Sequence, residues 1–357
     1  MLPILLAPAL LCSMPVAGPT AVPAAELTAG LRRAADEILR HQSPDGALGM
    51  SPASAAANAV IPYFANGAAI GLADAYRATR DVRYLNAARR WAGWYEAHMN
   101  ADGTVYDYNG SPQAWVSTGK YDSTDSYAST YMELVAALHI ARRDPAWLKA
   151  RAPHLRRALA AIRLTLDPRG LTRAHPKWEW MYCMDNVEVA RGLQALGAVA
   201  AAIPDAALVK EAADLRTGIL RSIDRELWNE RMGGYRVGVM PNGAVSEGLA
   251  KWYPDQMANL MAVAWLPSSR RNTELYARLK AAAAPPVTVT TLDDLDRAVW
   301  WLWASGPAGD AANQHTLEAA LARIDADLLS RCTVGYPGHI CRLLAAALRP
   351  KRASRTR

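Results

Sequence analysis

Apolar residues recur at i, i+3, i+4 and i+7 through Glu26–Gln42, Val82–His98, Tyr127–Ala141, Met181–Ile203 and Leu317–Leu329, the period of helices with one buried face. Alanine is abundant and β-branched runs are scarce. The pattern predicts twelve helices, near 27–41, 55–78, 81–98, 123–142, 145–165, 180–202, 205–228, 249–265, 269–284, 290–305, 311–329 and 338–348. The connections between them alternate in length. The short ones, Ala78-Thr79-Arg80-Asp81, Arg143-Asp144-Pro145, Ile203-Pro204-Asp205, Pro267-Ser268-Ser269 and Gly306-Pro307-Ala308-Gly309-Asp310, set an Asp or Ser just before a new apolar-periodic run, which is an N-cap signal. The long ones, roughly 42–54, 98–122, 166–179 and 229–248, with shorter stretches near 285–290 and 329–338, carry Asp-Gly, Asn-Gly, Gly-Gly and Pro-Gly turns among carboxylates and aromatics. Such alternation predicts stacked helical hairpins whose elaborated loops emerge on one side. Twelve helices in six hairpins close into an all-α double ring. The even-numbered helices are the more apolar set, as Val187–Ile203 and Leu249–Leu266 show against Glu211–Glu226, and so form the inner layer. The long loops then enter the N-termini of the inner helices, where free backbone N–H groups favour anions.

At 357 residues and 51% hydrophobic the chain can bury a sizeable core, and no linker or charge block divides it, so one domain is expected over 25–349. Residues 2–16 are mostly apolar, no charge precedes Glu26, and Val22-Pro23-Ala24 offers a small-residue cleavage site before Ala25. This reads as a secretory signal peptide of about residues 1–24 and a secreted or periplasmic protein. Cys12 follows Leu11, where a lipoprotein site would want a small residue, so lipidation is not expected. No later stretch offers about 18 uncharged apolar residues, and no transmembrane segment is expected.

Of the remaining cysteines, Cys332 and Cys341 flank a Gly-Tyr-Pro-Gly turn and form a disulfide candidate in an oxidising compartment, while Cys183, between Tyr182 and Met184, reads as a buried thiol. No Cys/His cluster has metal-ligand spacing, and neither metal nor cofactor is expected. The net charge of +7 includes five positive charges from Arg349, Lys351, Arg352, Arg355 and Arg357, leaving +2 on the rest of the chain. Four of the five lie in 350–357, expected to be a basic disordered tail, and the fifth just before it, which argues against nucleic acid as a partner.

Three segments carry a resemblance. These are GLADAYRATRDVRYLNAARRWAGW at 71–94, YDSTDSYASTYMELV at 121–135 and WEWMYCMDNVEVARGL at 178–193. With the hairpin pattern they make the chain similar to the six-hairpin glycosidase superfamily, the (α/α)6 barrels that include glucoamylase-like and unsaturated glucuronyl hydrolase-like enzymes. The resemblance covers nearly the whole mature chain in architecture and points to no single family. It implies a carbohydrate-active enzyme, most simply a glycoside hydrolase. In the unsaturated glucuronyl hydrolases the two working aspartates lie on the fourth and sixth helices, and Asp125 and Asp185 resemble those places.

The residues themselves support a sugar-processing site. Asp122 and Asp125 are spaced i, i+3 where the fourth helix begins, and Asp185 and Glu188 repeat the spacing where the sixth begins, so both pairs are expected at one rim. Glycoside cleavage needs one carboxyl group that protonates the leaving oxygen and another that activates water or attacks carbon. Asp125 and Asp185 are the expected catalytic pair. Aromatic residues share these loops, and flat rings stack on pyranose faces; Tyr121, Trp178, Trp180, Trp252 and Tyr253 are expected to bind an oligo- or polysaccharide substrate together with Asp122 and Glu188, while Trp115 and Tyr336 are expected to be core plugs. Asp255, after Pro254 in a first helical turn, is expected near the rim as a further sugar ligand or alternative base. Arg173, His175 and Lys177 offer a possible contact to an acidic sugar. The run Asp293, Asp294 and Asp296 reads as a solvated first turn, although it bears a faint likeness to terpene-cyclase motifs. A lyase or epimerase using Tyr121, Tyr253 or His175 as base, and a non-catalytic saccharide-binding protein, stay open on the same fold.

Overall fold

Each short connection is capped as its sequence requires. The carboxylate of Asp81 accepts the N–H of Arg83, Asp144 that of Trp147, Asp205 that of Leu208 and Asp310 that of Asn313, while the Ser269 hydroxyl accepts that of Asn272. These caps start outer helices at once, in a computed structural model that describes residues 21–50, 59–111 and 114–350. Residues 1–20 of the expected signal segment, and the basic tail from Lys351, lie outside the described residues.

In chain order the helices are α1 (Ala24–Arg40), α2 (Pro62–Thr79), α3 (Val82–Ala97), α4 (Thr124–Ala141), α5 (Pro145–Lys149), α6 (Ala152–Thr165), α7 (Cys183–Ala202), α8 (Ala206–Ser222), α9 (Met257–Trp265), α10 (Arg270–Ala282), α11 (Leu292–Ala308), α12 (Ala311–Ala322), α13 (Ala326–Arg331) and α14 (Gly335–Ala347). Inner helices pack in a closed circuit: α2 on α4, α4 on α7, α7 on α9, α9 on α11, α11 on α14, and α14 back on α2. The remaining helices surround them, and the fold is an (α/α)6 barrel. Two expected outer helices are each divided, 145–165 into α5 and α6 and 311–329 into α12 and α13, the second pair split where Asp325 caps a new start. The expected inner helix 249–265 opens instead with a π-helical turn, Trp252–Gln256, before α9. Among the described residues no helix is long and apolar enough to cross a membrane.

The ring closes tightly where side chains vanish. A Cβ on Gly71 would lie 2.5 Å from the carbonyl oxygen of Gly338, and one on Gly338 would lie 2.5 Å from that of Gly67, so α2 and α14 meet backbone to backbone. Bulk is concentrated elsewhere, in fully buried Trp91, Trp301, Tyr84, Tyr95 and Tyr131. Tyr95 and Tyr131 stack 4.6 Å apart, and the indole of Trp91 donates to Asn66 Oδ1 at 2.9 Å, which satisfies its polar end within the core.

Two three-stranded sheets and one two-stranded hairpin are formed by the loops that lead to the inner helices. Strands β1 (Ala59–Val60), β2 (Tyr108–Asn109) and β3 (Val116–Ser117) pair antiparallel in that order. Strand β4 (Met181–Tyr182) pairs with β7 (Gly238–Val239), which pairs with β8 (Val245–Ser246), while β5 (Trp228–Asn229) and β6 (Gly234–Tyr235) form a separate hairpin. The start of α7 is fixed in this way: Cys183 N–H donates to Val237 O at 2.9 Å, and Asn186 Nδ2 donates to the carbonyls of Thr172 and Tyr182.

The three cysteines after the signal segment are buried free thiols. The expected disulfide between Cys332 and Cys341 is not formed. Cys332 ends α13 and its thiol donates to Leu329 O, whereas α14 turns Cys341 toward α1, where its thiol faces Leu31 O at 3.8 Å. Closeness in sequence is undone by the intervening helix start.

Candidate active site

The N-terminal ends of the inner helices enclose two joined chambers. The inner one, of about 350 Å³, runs down the barrel axis; the outer one, of about 430 Å³, lies under the loops. Both are lined by Asp122, Ser123, Met184, Asp185 and Tyr253, which therefore mark the passage between them. Asp122 stands outside the helix, just ahead of the N-cap residue Ser123, and is exposed. Asp185 lies in the first turn of α7 and presents part of its carboxyl to the passage.

Asp125 sits behind this junction. It is fully buried and borders neither chamber, so the residue expected to react is screened from any ligand by Ser123. Asp122 and Asp125 do not share a helix face, because α4 begins only at Thr124, which leaves Asp122 outside the helix and Asp125 buried in its first turn. Ser123 Oγ links the acids, 2.8 Å from Asp125 Oδ1 and 3.4 Å from Asp185 Oδ2, and Asp125 Oδ1 also accepts the Ser126 N–H at 2.9 Å. Its other oxygen has no hydrogen-bond partner.

Burial dominates the electrostatics. It pushes Asp125 up to about 7 against the pull of the Ser123 hydroxyl and the Ser126 N–H. Asp185 is raised well above the carboxylate range, first by burial and then by the neighbouring charges of Asp125, Glu188 and Asp122. Glu188, which lines the inner chamber one turn further along α7, is raised to about 7 by burial although the Tyr63 hydroxyl donates to it at 2.7 Å. Asp107, accepting from the Tyr127 hydroxyl at 2.8 Å, is raised to about 6 by burial. Asp125, Asp185 and Glu188, crowded at the starts of α4 and α7, thus hold protons near neutrality, while Asp107 gives up its proton about one unit lower.

The outer chamber is walled by aromatics from three loops. Tyr121 stacks on Tyr106 at 5.5 Å, His175 lies 5.8 Å from both Tyr121 and Trp178, and the Trp178 indole donates to the Tyr182 hydroxyl at 3.2 Å. Trp178 and Tyr253 keep 43% and 63% of their surface exposed, which leaves ring faces free for a ligand. Trp180 stacks on Tyr182 at 6.1 Å and borders neither chamber. Arg173 is taken up by Asp167 at 2.6 Å and does not reach the chamber, while Lys177 is exposed beside it.

Three expectations around α9 and α11 are corrected. Asp255 borders neither chamber; its carboxylate accepts the Lys251 N–H at 3.2 Å and packs against Gly248, holding the π-helical turn in place. Trp252 is likewise outside the lining, and its indole donates to Asp296 at 2.6 Å. Within the acid run, Asp294 forms a capping box with Thr291 and Asp293 pairs with Arg297 at 2.7 Å, but Asp296 faces the inner chamber and also accepts from the Tyr336 hydroxyl at 2.8 Å. Tyr336, expected as a core plug, is a wall of the chamber, as are Tyr63 and His339, which no local pattern marked. Among the described residues no group of His, Cys, Asp and Glu is placed to hold a metal ion.

No family model matches the chain, and no curated protein matches it. Solved structures do. A glycosidase variant in complex with glucose is 15% identical, with a TM-score of 0.65 over 91% of this chain and 97% of that one. An inactive variant of the α-1,6-mannanase GH76A of Salegentibacter sp. HEL1_6, in complex with α-1,6-mannotriose, is 9% identical, with a TM-score of 0.60 over 90% and 99%. The chain shares their fold, the (α/α)6 barrel. A rhamnosidase from Klebsiella oxytoca with rhamnose bound is also similar, at 15% identity and a TM-score of 0.56, over 82% of this chain and 55% of the rhamnosidase. At these identities the likeness is one of architecture, and chemistry has to be argued from the chambers themselves.

Proposed function

We propose that residues 25–349 form an exported glycoside hydrolase that cleaves an oligo- or polysaccharide at the passage between the two chambers. The observation that carries the reading is the placement of Asp185, whose carboxyl is held protonated by burial and neighbouring acids at the one point both chambers share, with the exposed Asp122 beside it. Export rests on the apolar stretch 2–16 and the small-residue site at Val22-Pro23-Ala24.

In this reading one sugar enters the inner chamber and the rest of the chain lies along Tyr121, Trp178 and Tyr253 in the outer one. Asp185 gives its proton to the glycosidic oxygen as the bond from that oxygen to the anomeric carbon breaks. Asp122 takes a proton from a water whose oxygen bonds to that carbon, and the two carboxyl groups then exchange protons with solvent. Asp125 is a positioning residue: through Ser123 and its own charge it sets the protonation of Asp185. Glu188, held by Tyr63, does the same from below.

The test is product release from a panel of neutral and acidic oligosaccharides, read by reducing ends and mass spectrometry. Asp185→Asn should lower turnover by about three orders of magnitude or more, the scale of losing a proton donor together with its charge. Full activity in Asp185→Asn on a substrate the wild type cleaves would end the assignment.

A further inference from the structure

The floor of the inner chamber differs in chemistry from its mouth. Glu133 Oε2 accepts from Arg191 Nε at 3.0 Å and from Arg342 Nη2 at 3.1 Å, so two guanidinium groups share a single carboxylate oxygen. The Arg342 side chain retains 8% exposure, borders the chamber, and has Glu133 as its hydrogen-bond partner through that one N–H alone. Arg191 Nη1 is buried with no partner. The ring of Trp303 lies 5.0 Å from the Arg342 guanidinium and 5.5 Å from that of Arg191, and Trp265 lies 4.4 Å from Arg191, so the cations rest on π-faces and not on further acids. His339 completes the floor. Its Nδ1 accepts the Trp303 indole N–H at 3.2 Å, which leaves the ring proton on Nε2, and burial with the two arginines keeps it neutral.

Two guanidinium groups, 22% and 8% exposed, thus share one paired carboxylate on this floor, and one of the two positive charges has no ion-pair partner of its own. Glu188, one turn above Arg191, attracts that guanidinium but forms an ion pair with neither among the described residues, and burial raises its carboxyl to about 7, so that it is only partly ionised near neutrality. Asp74 is paired instead with Arg77 and Arg349. We propose that the missing partner is a compact oxyanion carried by the substrate, so that the inner chamber takes a sugar bearing a carboxylate or sulfate group, bound by Arg342 with His339 Nε2–H and the field of Arg191.

The scale fits. Asp185, Glu188 and Arg191 follow one another at intervals of three along α7, and the six residue steps from the first to the last rise about 9 Å along the helix. That is the span of one pyranose ring with an exocyclic acid group, its anomeric carbon at Asp185 and its oxyanion at the floor. The substrate class rests on the hydrolase reading above, but the oxyanion site does not depend on turnover.

Full-length Asp185→Asn protein titrated by calorimetry with D-glucuronate, D-galacturonate, D-glucose 6-sulfate and D-glucose tests it. At least one acidic sugar should bind about tenfold or more tightly than D-glucose, with uronate and sulfate arms separating the two sources of the oxyanion. Adding Arg342→Gln should abolish that preference, while Arg342→Lys should keep part of it. Should Arg342→Gln fail to fold by circular dichroism, His339→Gln, which leaves the Glu133 pairs intact, should weaken the acidic sugar selectively. Equal binding of D-glucose and the acids, or a preference untouched by both floor substitutions, overturns the proposal. Wild-type cleavage of neutral glycans with no such preference would sink the oxyanion site and leave the hydrolase; acid-sugar binding without cleavage of any acidic glycan would do the reverse.

Discussion

Asp125→Asn separates the cost of a buried acid from its use. Burial lifts Asp125 from the ordinary 3.8 up to about 7, so the folded protein holds this proton more tightly than the unfolded chain. The stability tied to that proton is fully present below the unfolded value and is lost as the pH rises toward about 7. The loss amounts to about 4 kcal/mol once both states are ionised. Asparagine keeps the acceptor for Ser123 Oγ and Ser126 N–H, and exchanges an oxygen that has no partner for an amide group in the same place. It never ionises, so the variant escapes the loss. For a chain of this size about 1.5 °C accompanies each kcal/mol, and the variant should melt up to about 6 °C above wild type near pH 8 and level with it near pH 4. Thermal unfolding followed by circular dichroism across that range is the assay. A melting difference independent of pH, or a destabilisation that grows with pH, would refute the reasoning. The same substitution removes the strongest neighbouring charge on Asp185, so the alkaline limb of the pH–rate profile should move to lower pH.

Tyr63→Phe deprives Glu188 of its hydroxyl donor and should cost about 1–3 kcal/mol of stability above neutral pH, where Glu188 is ionised; unchanged unfolding at about pH 8 would show that the bond carries no weight. Gly192→Ala sets a Cβ 2.6 Å from Ser129 O between α4 and α7, and should cost about 1–3 kcal/mol while lowering turnover, because that spacing aligns Ser123 with Asp185. Denaturant unfolding and product release measure the two effects. With Cys332 and Cys341 apart, reductant should leave the melting temperature unchanged and thiol titration of the unfolded mature protein should find all three cysteines reactive. A reductant-sensitive melt would revive the disulfide.

Much of this architecture was legible along the chain because it rests on local causes. Helical period, the Asp and Ser caps and the alternation of turn lengths act within a few residues, and they sufficed to order the hairpins and to separate inner from outer helices. The same locality brought Asp122, Asp185 and Glu188 to one end of the barrel, since each lies at the start of an inner helix. Trp178, Tyr121 and Tyr253 followed from the loops that carry them.

What the sequence by itself determined was therefore the double ring, the end of it that is elaborated, and the residue types gathered there. The tertiary structure alone decided which of them meet. Asp125 turns away from the cleft and Asp296 turns into it, although both sit in the first two turns of inner helices, because the direction of a side chain depends on where its helix begins and on which neighbours the closed ring supplies. Tyr63, Glu133 and Arg191 come from three different inner helices and meet Tyr336, His339 and Arg342, spaced i, i+3 and i+6 on a fourth, only because the ring closes. The pattern of polar residues fixes a helix's face; only closure of the ring fixes what that face looks at.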